Sequence, residues 1–315
     1  MTNSSLSPIL IEAKRLGITF IDLRLDYAFK LVFGTPGNED LLLKLINVSI
    51  PDKHFTSVEL ISPEHVGLRP DSRRAVFDVF AKTSDGSDVT IEMQYGEQSD
   101  FNQRMVFYSS FPIQNNVKRG KAKDEDGPKL YYSFPNVYII GITDFILEGV
   151  PNNDDMINQY SIRNDKDLQR VFTDKVNYIT VELPKLNKTI DQLQSPADYM
   201  FYAILNIGKM KEMPEEYVGK GLDKLFELCN FAAMNEDNQR QYIAELMAEL
   251  DEGSRMKTAL MKGERIGLEK GIEKGMEKGI KKEKASVARA MLEDKMSPEL
   301  VSKYTGLSAE EIAAL

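Results

Sequence analysis

Between Arg74 and Tyr95 the chain reads RAVFDVFAKTSDGSDVTIEMQY, two stretches that alternate apolar and polar positions around Ser84-Asp85-Gly86. Period-two alternation belongs to strands, so this is a hairpin whose register decides which side chains share a face. A two-residue Asp85-Gly86 loop would set Asp78 opposite Met93 and Val79 opposite Glu92, mixing both faces. A three-residue loop, a type I turn followed by a left-handed Gly86, pairs Thr83 with Ser87 instead. Phe77, Val79 and Ala81 then oppose Met93, Ile91 and Val89 on an apolar face. On the other face Asp78 opposes Glu92, Val76 opposes Gln94, and Lys82 opposes Asp88. A one-residue slip inverts every face, so the register that separates polarity is preferred, and it predicts positive φ at Gly86. Carboxylates directly across a strand pair have Cβ atoms roughly 4.5–5.5 Å apart and repel. A divalent cation would offset that repulsion.

The flanking pattern supplies the frame. LDYAFKLVFG, Leu25 to Gly34, has helical spacing, with Phe29 and Phe33 four apart, Asp26 and Lys30 on one face, and Gly34 at the end. A second apolar helix runs from Glu39 to Val48 with Asn38 as its cap. A strand at Ser57 to Ile61 precedes the hairpin, and a helix from about Gln98 to Asn115, kinked at Pro112, follows it. NVYIIGITDF, Asn136 to Phe145, and VNYITVELP, Val176 to Pro184, read as buried strands. The order implies an α/β fold, a mixed sheet with helices on its faces.

From about Asp191 the pattern is helical, with helices expected at Pro196 to Asn206, Glu215 to Met234 and Asp237 to Glu252. GERIGLEKGIEKGMEKGIKKEK, from Gly263, then repeats with period four. Glycine at every fourth helical position costs roughly 1 kcal/mol each relative to Ala, while Lys-Glu pairs return only tenths, so this is a marginal linker helix. Three short helices end the chain, at Ser286 to Glu293, from Pro298, and from Ser308 with Glu311 completing a capping box. The last two, joined at Thr305-Gly306, resemble a helix-turn-helix. SAEEIAAL carries no Arg, Lys, Asn or Gln to read a base edge, so a packing or oligomerisation unit is expected there before a sequence reader. The resulting division is 1–190, the mixed-sheet domain; 191–262, helical; 263–284, a linker helix; and 285–315, the small tail.

The 315 residues are 42% apolar and 28% charged, an ordinary globular composition. No stretch approaches a membrane span and no signal-like start is present, which points to a cytoplasmic protein. A single cysteine, Cys229, excludes a disulfide framework and a Cys-rich zinc site, and reads as a core residue. The two histidines, His54 and His65, have no ligand or triad spacing. A net charge of −9 argues against a protein coated in nucleic acid, but leaves room for local basic patches.

Asp78, a strand turn, and Glu92-Met93-Gln94, preceded by DYAFKLVFG and followed by a helix carrying Arg104 and Tyr108, resemble the PD-(D/E)XK nuclease superfamily. Within it the likeness is to the Rpn recombination-promoting nuclease and transposase group, over roughly Leu25 to Phe145, with the Gly-rich tail similar in style. The resemblance implies a restriction-endonuclease-like sheet core and a Mg²⁺- or Mn²⁺-dependent DNA endonuclease active in recombination or mobile-element contexts. Asp78 and Glu92 would hold the ion with the Met93 carbonyl, and Gln94 would stand beside the attacking water. Most of the superfamily has Lys at that position; Gln can orient a water but brings no charge. Asp26 either joins the ion or pairs on the surface with Lys30. Lys30, Arg74, Arg104 and Tyr108 can meet DNA phosphates, with Arg104 and Tyr108 alternatively packing the helix surface. Arg69, Arg73, Lys118, Arg119, Lys121 and Lys123 are further basic positions. The rival readings are a nuclease-fold protein without catalysis that binds nucleic acid or a protein through the same cleft and tail, and a homo-oligomer assembled through the C-terminal helices.

Overall fold

The computed structural model describes residues 7–61, 78–119, 121–124, 127–130, 134–148 and 154–315, with side chains outside 117–133. The hairpin has the register that separates polarity. Strands β2 (Val79–Thr83) and β3 (Asp88–Gln94) pair Val79 with Ile91, Ala81 with Val89 and Lys82 with Asp88. Thr83 and Ser87 close the loop, the Gly86 amide donates to the Thr83 carbonyl at 2.8 Å, and Gly86 has φ +81°. Phe77 and Val76 lie outside the described residues.

The hairpin sits in a six-stranded mixed sheet of order β1-β2-β3-β6-β8-β7. Here β1 is Val58–Leu60, β6 Val137–Thr143, β7 Ile157–Arg163 and β8 Val171–Glu182. Strands β3, β6 and β8 run parallel and are fully buried over much of their length, hence VYIIGIT. Three strands were not expected from the sequence, the edge strand β7, whose INQYSIR is largely exposed, and the hairpin pair β4 (Lys121–Asp124) and β5 (Gly127–Leu130); nor was the helix at Pro8–Arg15.

One face of the sheet, carrying Val79, Ala81, Val89, Ile91 and Met93, is covered by α2 (Asp26–Phe33), α3 (Glu39–Ser49), α5 (Pro196–Asn206) and α6 (Asp223–Cys229) in a single core. A short α1 (Pro8–Arg15) precedes them. Residues 191–246 therefore share their core with the N-terminal elements; Tyr242, at the start of α7 (Glu236–Glu293), accepts the Asp22 amide at 2.9 Å. Cys229 is fully buried in the same core. Two compact units result, 1–246 and 247–315.

Some local expectations need correction. Asn38 occupies the N-cap position of α3 and its carbonyl accepts the Leu41 and Leu42 amides, but its side chain makes no cap bond; its Nδ2 donates to the Val32 carbonyl instead, tying α3 to α2. Glu215 to Met234 is not one helix. Gly219 and Gly221 at φ +73° and +71° separate a 3-10 turn at Glu215–Tyr217 from α6, and extended Asn230 (ψ 108°) separates α6 from a second 3-10 turn at Phe231–Ala233. The Gly repeat lies inside one continuous helix, α7.

The opposite face is closed by α4 (Phe101–Arg119), with Pro112 in its interior. Phe101 and Met105 pack on Val137 and Ile139, Phe111 on Phe80, and Ser109 Oγ lies 3.0 Å from the Tyr178 hydroxyl. Gly141 on β6 makes this approach possible, since a Cβ there would lie 2.8 Å from the Phe101 ring and 2.9 Å from Met105 Sδ. Gly141 pairs with Glu92 in the ladder, so the height of α4 over Gly141 sets its height over Glu92. Gly141→Ala is expected to destabilise the chain by about 1–3 kcal/mol through overpacking, measured as a lower urea midpoint at unchanged slope.

Candidate active site

Asp78 immediately precedes β2, and its Oδ2 accepts the Met93 backbone N–H at 2.7 Å, completing the hairpin with a side chain where the ladder stops. The end of α2 packs closely here. At Gly34 a Cβ would lie 2.8 Å from the Lys30 carbonyl and 3.5 Å from that of Asp78, so the missing side chain, rather than a left-handed backbone, is what the position requires. One turn earlier, Lys30 Nζ lies 2.7 Å from Asp26 and 3.1 Å from Asp78 Oδ1. The two readings of Asp26 are thus both visible. It forms the ion pair with Lys30, and it is also hydrogen-bonded to Asp78.

On β3, Glu92 is buried and its Oε1 has no hydrogen-bond partner. A buried carboxylate oxygen without a partner is costly. Arg104 on α4 faces Glu92 at 3.8 Å, donates to Gln94 Oε1 at 2.8 Å and to Gln98 Oε1 at 2.5 Å, and reaches the Tyr108 hydroxyl at 3.1 Å. Gln94 Nε2 in turn donates to the Tyr95 carbonyl at 3.0 Å.

The electrostatics follow from burial. Asp78 is pushed up to about 8, first by desolvation and then by Asp26, against the pull of Lys30 and the Met93 amide. Glu92 is raised well above the carboxylate range by desolvation and by Asp78, with Arg104 opposing. For Asp26, desolvation is outweighed by Asp78 and Lys30, and its carboxyl is held below its ordinary value. Two neighbouring acids thus favour their protonated forms while a third stays charged, the pattern of groups pushed apart by a functional site.

Seven expected positions, Asp26, Lys30, Asp78, Glu92, Gln94, Arg104 and Tyr108, form one linked network. Lys30 is held by two carboxylates. Arg69, Arg73 and Arg74 lie outside the described residues, as do the side chains of Lys118, Arg119, Lys121 and Lys123. Sequence reasoning missed the support behind Gln94. Arg24 pairs with Asp22 at 2.6 Å and reaches Asp144 at 3.7 Å, while Asp144 accepts the Gly96 amide at 2.8 Å and its own amide meets the Gln94 carbonyl at 3.3 Å. Only the Asp22-x-Arg24 spacing was a local signal; Asp144 lies just past the end of β6, some distance along the chain.

Among the described residues no three histidine, cysteine or acidic side chains converge as a ready metal cluster. The donor set nevertheless suits a hard divalent ion, which takes one or two carboxylates and completes its shell with water and substrate oxygens. Two buried acids and an orphaned Glu92 oxygen are present. Met93 points its N–H toward Asp78, and a strand residue's carbonyl leaves on the same side as its N–H.

Residues 23–259 match the family model described as PD-(D/E)XK nuclease family transposase. The chain belongs to this family. Residues 281–315 match the Rpn/YhgA-like nuclease family, C-terminal HTH domain. Comparison with curated proteins and with solved structures gave no match. The mixed sheet with flanking helices and a helical C-terminal region is thus the PD-(D/E)XK architecture that the hairpin and its neighbours pointed to.

The C-terminal HTH match shifts the balance for the tail, where a packing unit was expected first. The last turns of α7, α8 (Pro298–Thr305) and α9 (Ala309–Ala313) enclose a small core of Ala288, Val301, Leu307 and Ile312. Gly306 makes the turn at φ +71°, and Ser308 and Glu311 form the capping box.

Proposed function

We propose that this PD-(D/E)XK family protein is a Mg²⁺- or Mn²⁺-dependent DNA endonuclease acting in recombination or transposition. The observation that carries the reading is the pair of buried, mutually repelling carboxylates, Asp78 and Glu92, one with an unpartnered oxygen, at the open end of the hairpin. Asp78, Glu92 and the Met93 carbonyl are the proposed ligands. When bound, the ion supplies charge to stabilise the phosphate oxygens and to make a water nucleophilic.

The chain's own residues do the rest. Asp26 and Lys30 fix Asp78 from one side, and the Met93 amide fixes it from the other. Gln94, held by Arg104, presents an amide to orient a water. Arg104 supplies the positive charge that residue 94 lacks, and with Tyr108 it stands at the mouth of the site to receive a phosphate. Lys30 is the second cation, and a duplex phosphate approaching Asp78 would meet it. No helix among the described residues is long and apolar enough to cross a membrane. Assembly through the C-terminal helices is part of the same proposal.

The second reading, a nuclease fold that binds DNA or a protein without cutting, is favoured by one observation. Gln94 stands where most of the superfamily has Lys, and its amide is already engaged by Arg104 and Tyr95. A plasmid-nicking assay at matched protein concentration separates the readings. Catalysis predicts nicked or linear product with Mg²⁺ or Mn²⁺ and none with chelator. Retention of DNA on a filter or gel without product in either metal supports the second reading.

A further inference from the structure

Leu268, Ile272, Met276 and Ile280 on α7 each follow a glycine, at 267, 271, 275 and 279, and each is followed by two charged residues. In three of the four repeats the unit is Gly-apolar-Glu-Lys. These four apolar side chains are 66%, 54%, 63% and 50% exposed, and a Cβ added at any of the four glycines would meet nothing within 4 Å. Four large apolar side chains beside four backbone hollows make a face built for close approach, left open within its own unit. A lone helix with glycine at every fourth position loses roughly 1 kcal/mol per glycine relative to Ala and has no packing to recover it.

The charges identify what fits that face. At about 100° per residue, Gly, apolar, Glu and Lys lie in order around the helix, so the Gly-apolar face has Lys on its glycine edge and Glu on its apolar edge. Lys270, Lys274 and Lys278 form one rim, and Glu269, Glu273 and Glu277 the other. In a parallel two-fold pair the glycine edge of one helix faces the apolar edge of the other, and each Lys rim meets a Glu rim. In an antiparallel pair Lys would face Lys and Glu would face Glu. A ridge of period four drifts about 40° per repeat, which suits two i±4n ridges interlocked at a crossing angle near −50°.

We infer that the Gly267–Ile280 face of α7 binds the same face of a second copy of this chain, in parallel, as a right-handed crossing pair. Gly271 and Gly275 receive the partner's apolar side chains at the crossing, and the Lys and Glu rims fix the orientation. The contact is isologous and closes as a dimer. It rests on the proposed assembly through the C-terminal helices, to which it gives a face and an orientation, and it does not require cleavage, so a chain that cuts no DNA leaves it standing, and a monomeric chain leaves the proposed cleavage standing.

Sedimentation of the full chain tests it with four variants. The wild type is expected to be a dimer. Gly271→Gln with Gly275→Gln should be a monomer at the same concentration, although its helical circular dichroism is undiminished, because Gln is the better helix former. Glu269→Lys, Glu273→Lys, Glu277→Lys should be a monomer, as should Lys270→Glu, Lys274→Glu, Lys278→Glu, and an equimolar mixture of the two should recover a dimer. Leu268→Cys should cross-link to itself on mild oxidation, since the native Cys229 is buried. A monomeric wild type, a dimer that survives the glycine substitutions, charge variants that remain dimers alone, or a Leu268→Cys dimer that does not cross-link would each overturn it.

Discussion

Asp78→Asn is expected to be more stable than the wild type at pH 8, by a margin that shrinks steadily as the pH is lowered toward 5. The Asp78 carboxyl, ordinarily near 3.8, is pushed up to about 8 by burial and by Asp26. The folded chain therefore holds a proton there that the unfolded chain releases. Stability from this group is fully present below about 4 and is lost as pH rises through about 8, a negative slope of unfolding free energy with pH. Asn keeps an oxygen for the Met93 amide and has no charge to bury. The gain at pH 8 should be a few kcal/mol, less than a shift of this size taken alone because Asp26, Lys30 and Glu92 respond together. Urea denaturation of both proteins between pH 5 and 8.5 measures it; parallel curves would show that Asp78 is not the strained group.

Glu92→Gln should remove nicking while leaving the fold intact. The substitution keeps the size and removes the buried charge, which is also raised above the carboxylate range, so stability at pH 8 should rise rather than fall. Loss of an ion-holding carboxylate gives up several kcal/mol of transition-state stabilisation, on the order of 10²–10³-fold in rate. Single-turnover cleavage of supercoiled plasmid in Mg²⁺, with circular dichroism on the same samples, is the measurement. Retained rate in a folded Glu92→Gln protein would assign the chemistry elsewhere. The opposite signs of the stability and activity effects separate a functional acid from a structural one, whose loss would lower both.

The hairpin was legible because two independent signals agreed: the Ser84-Asp85-Gly86 turn and the separation of polarity by one register. Both are local. The α2 motif and the Pro196, Pro298 and Ser308 helix starts were legible for the same reason. The edge strand β7 was not, since INQYSIR buries neither face and carries no alternation. The break within Glu215 to Met234 depended on left-handed backbone at Gly219 and Gly221, which apolar spacing does not report. In the site, the residues could be named from the motif, but their pairing could not. That Lys30 lies between Asp26 and Asp78, that Arg104 spans Glu92 and Gln94, and that Asp144 and Arg24 brace the end of β3 all depend on how α2, β6 and α4 pack on the sheet.

The central claim is that Asp78 and Glu92 are buried together for a divalent ion. Calorimetric titration of Mn²⁺ into wild type and Asp78→Asn at pH 8 tests it most directly. The account predicts saturable binding to the wild type with release of protons, and its loss in Asp78→Asn. Equal binding to both proteins, or none to the wild type, would contradict it.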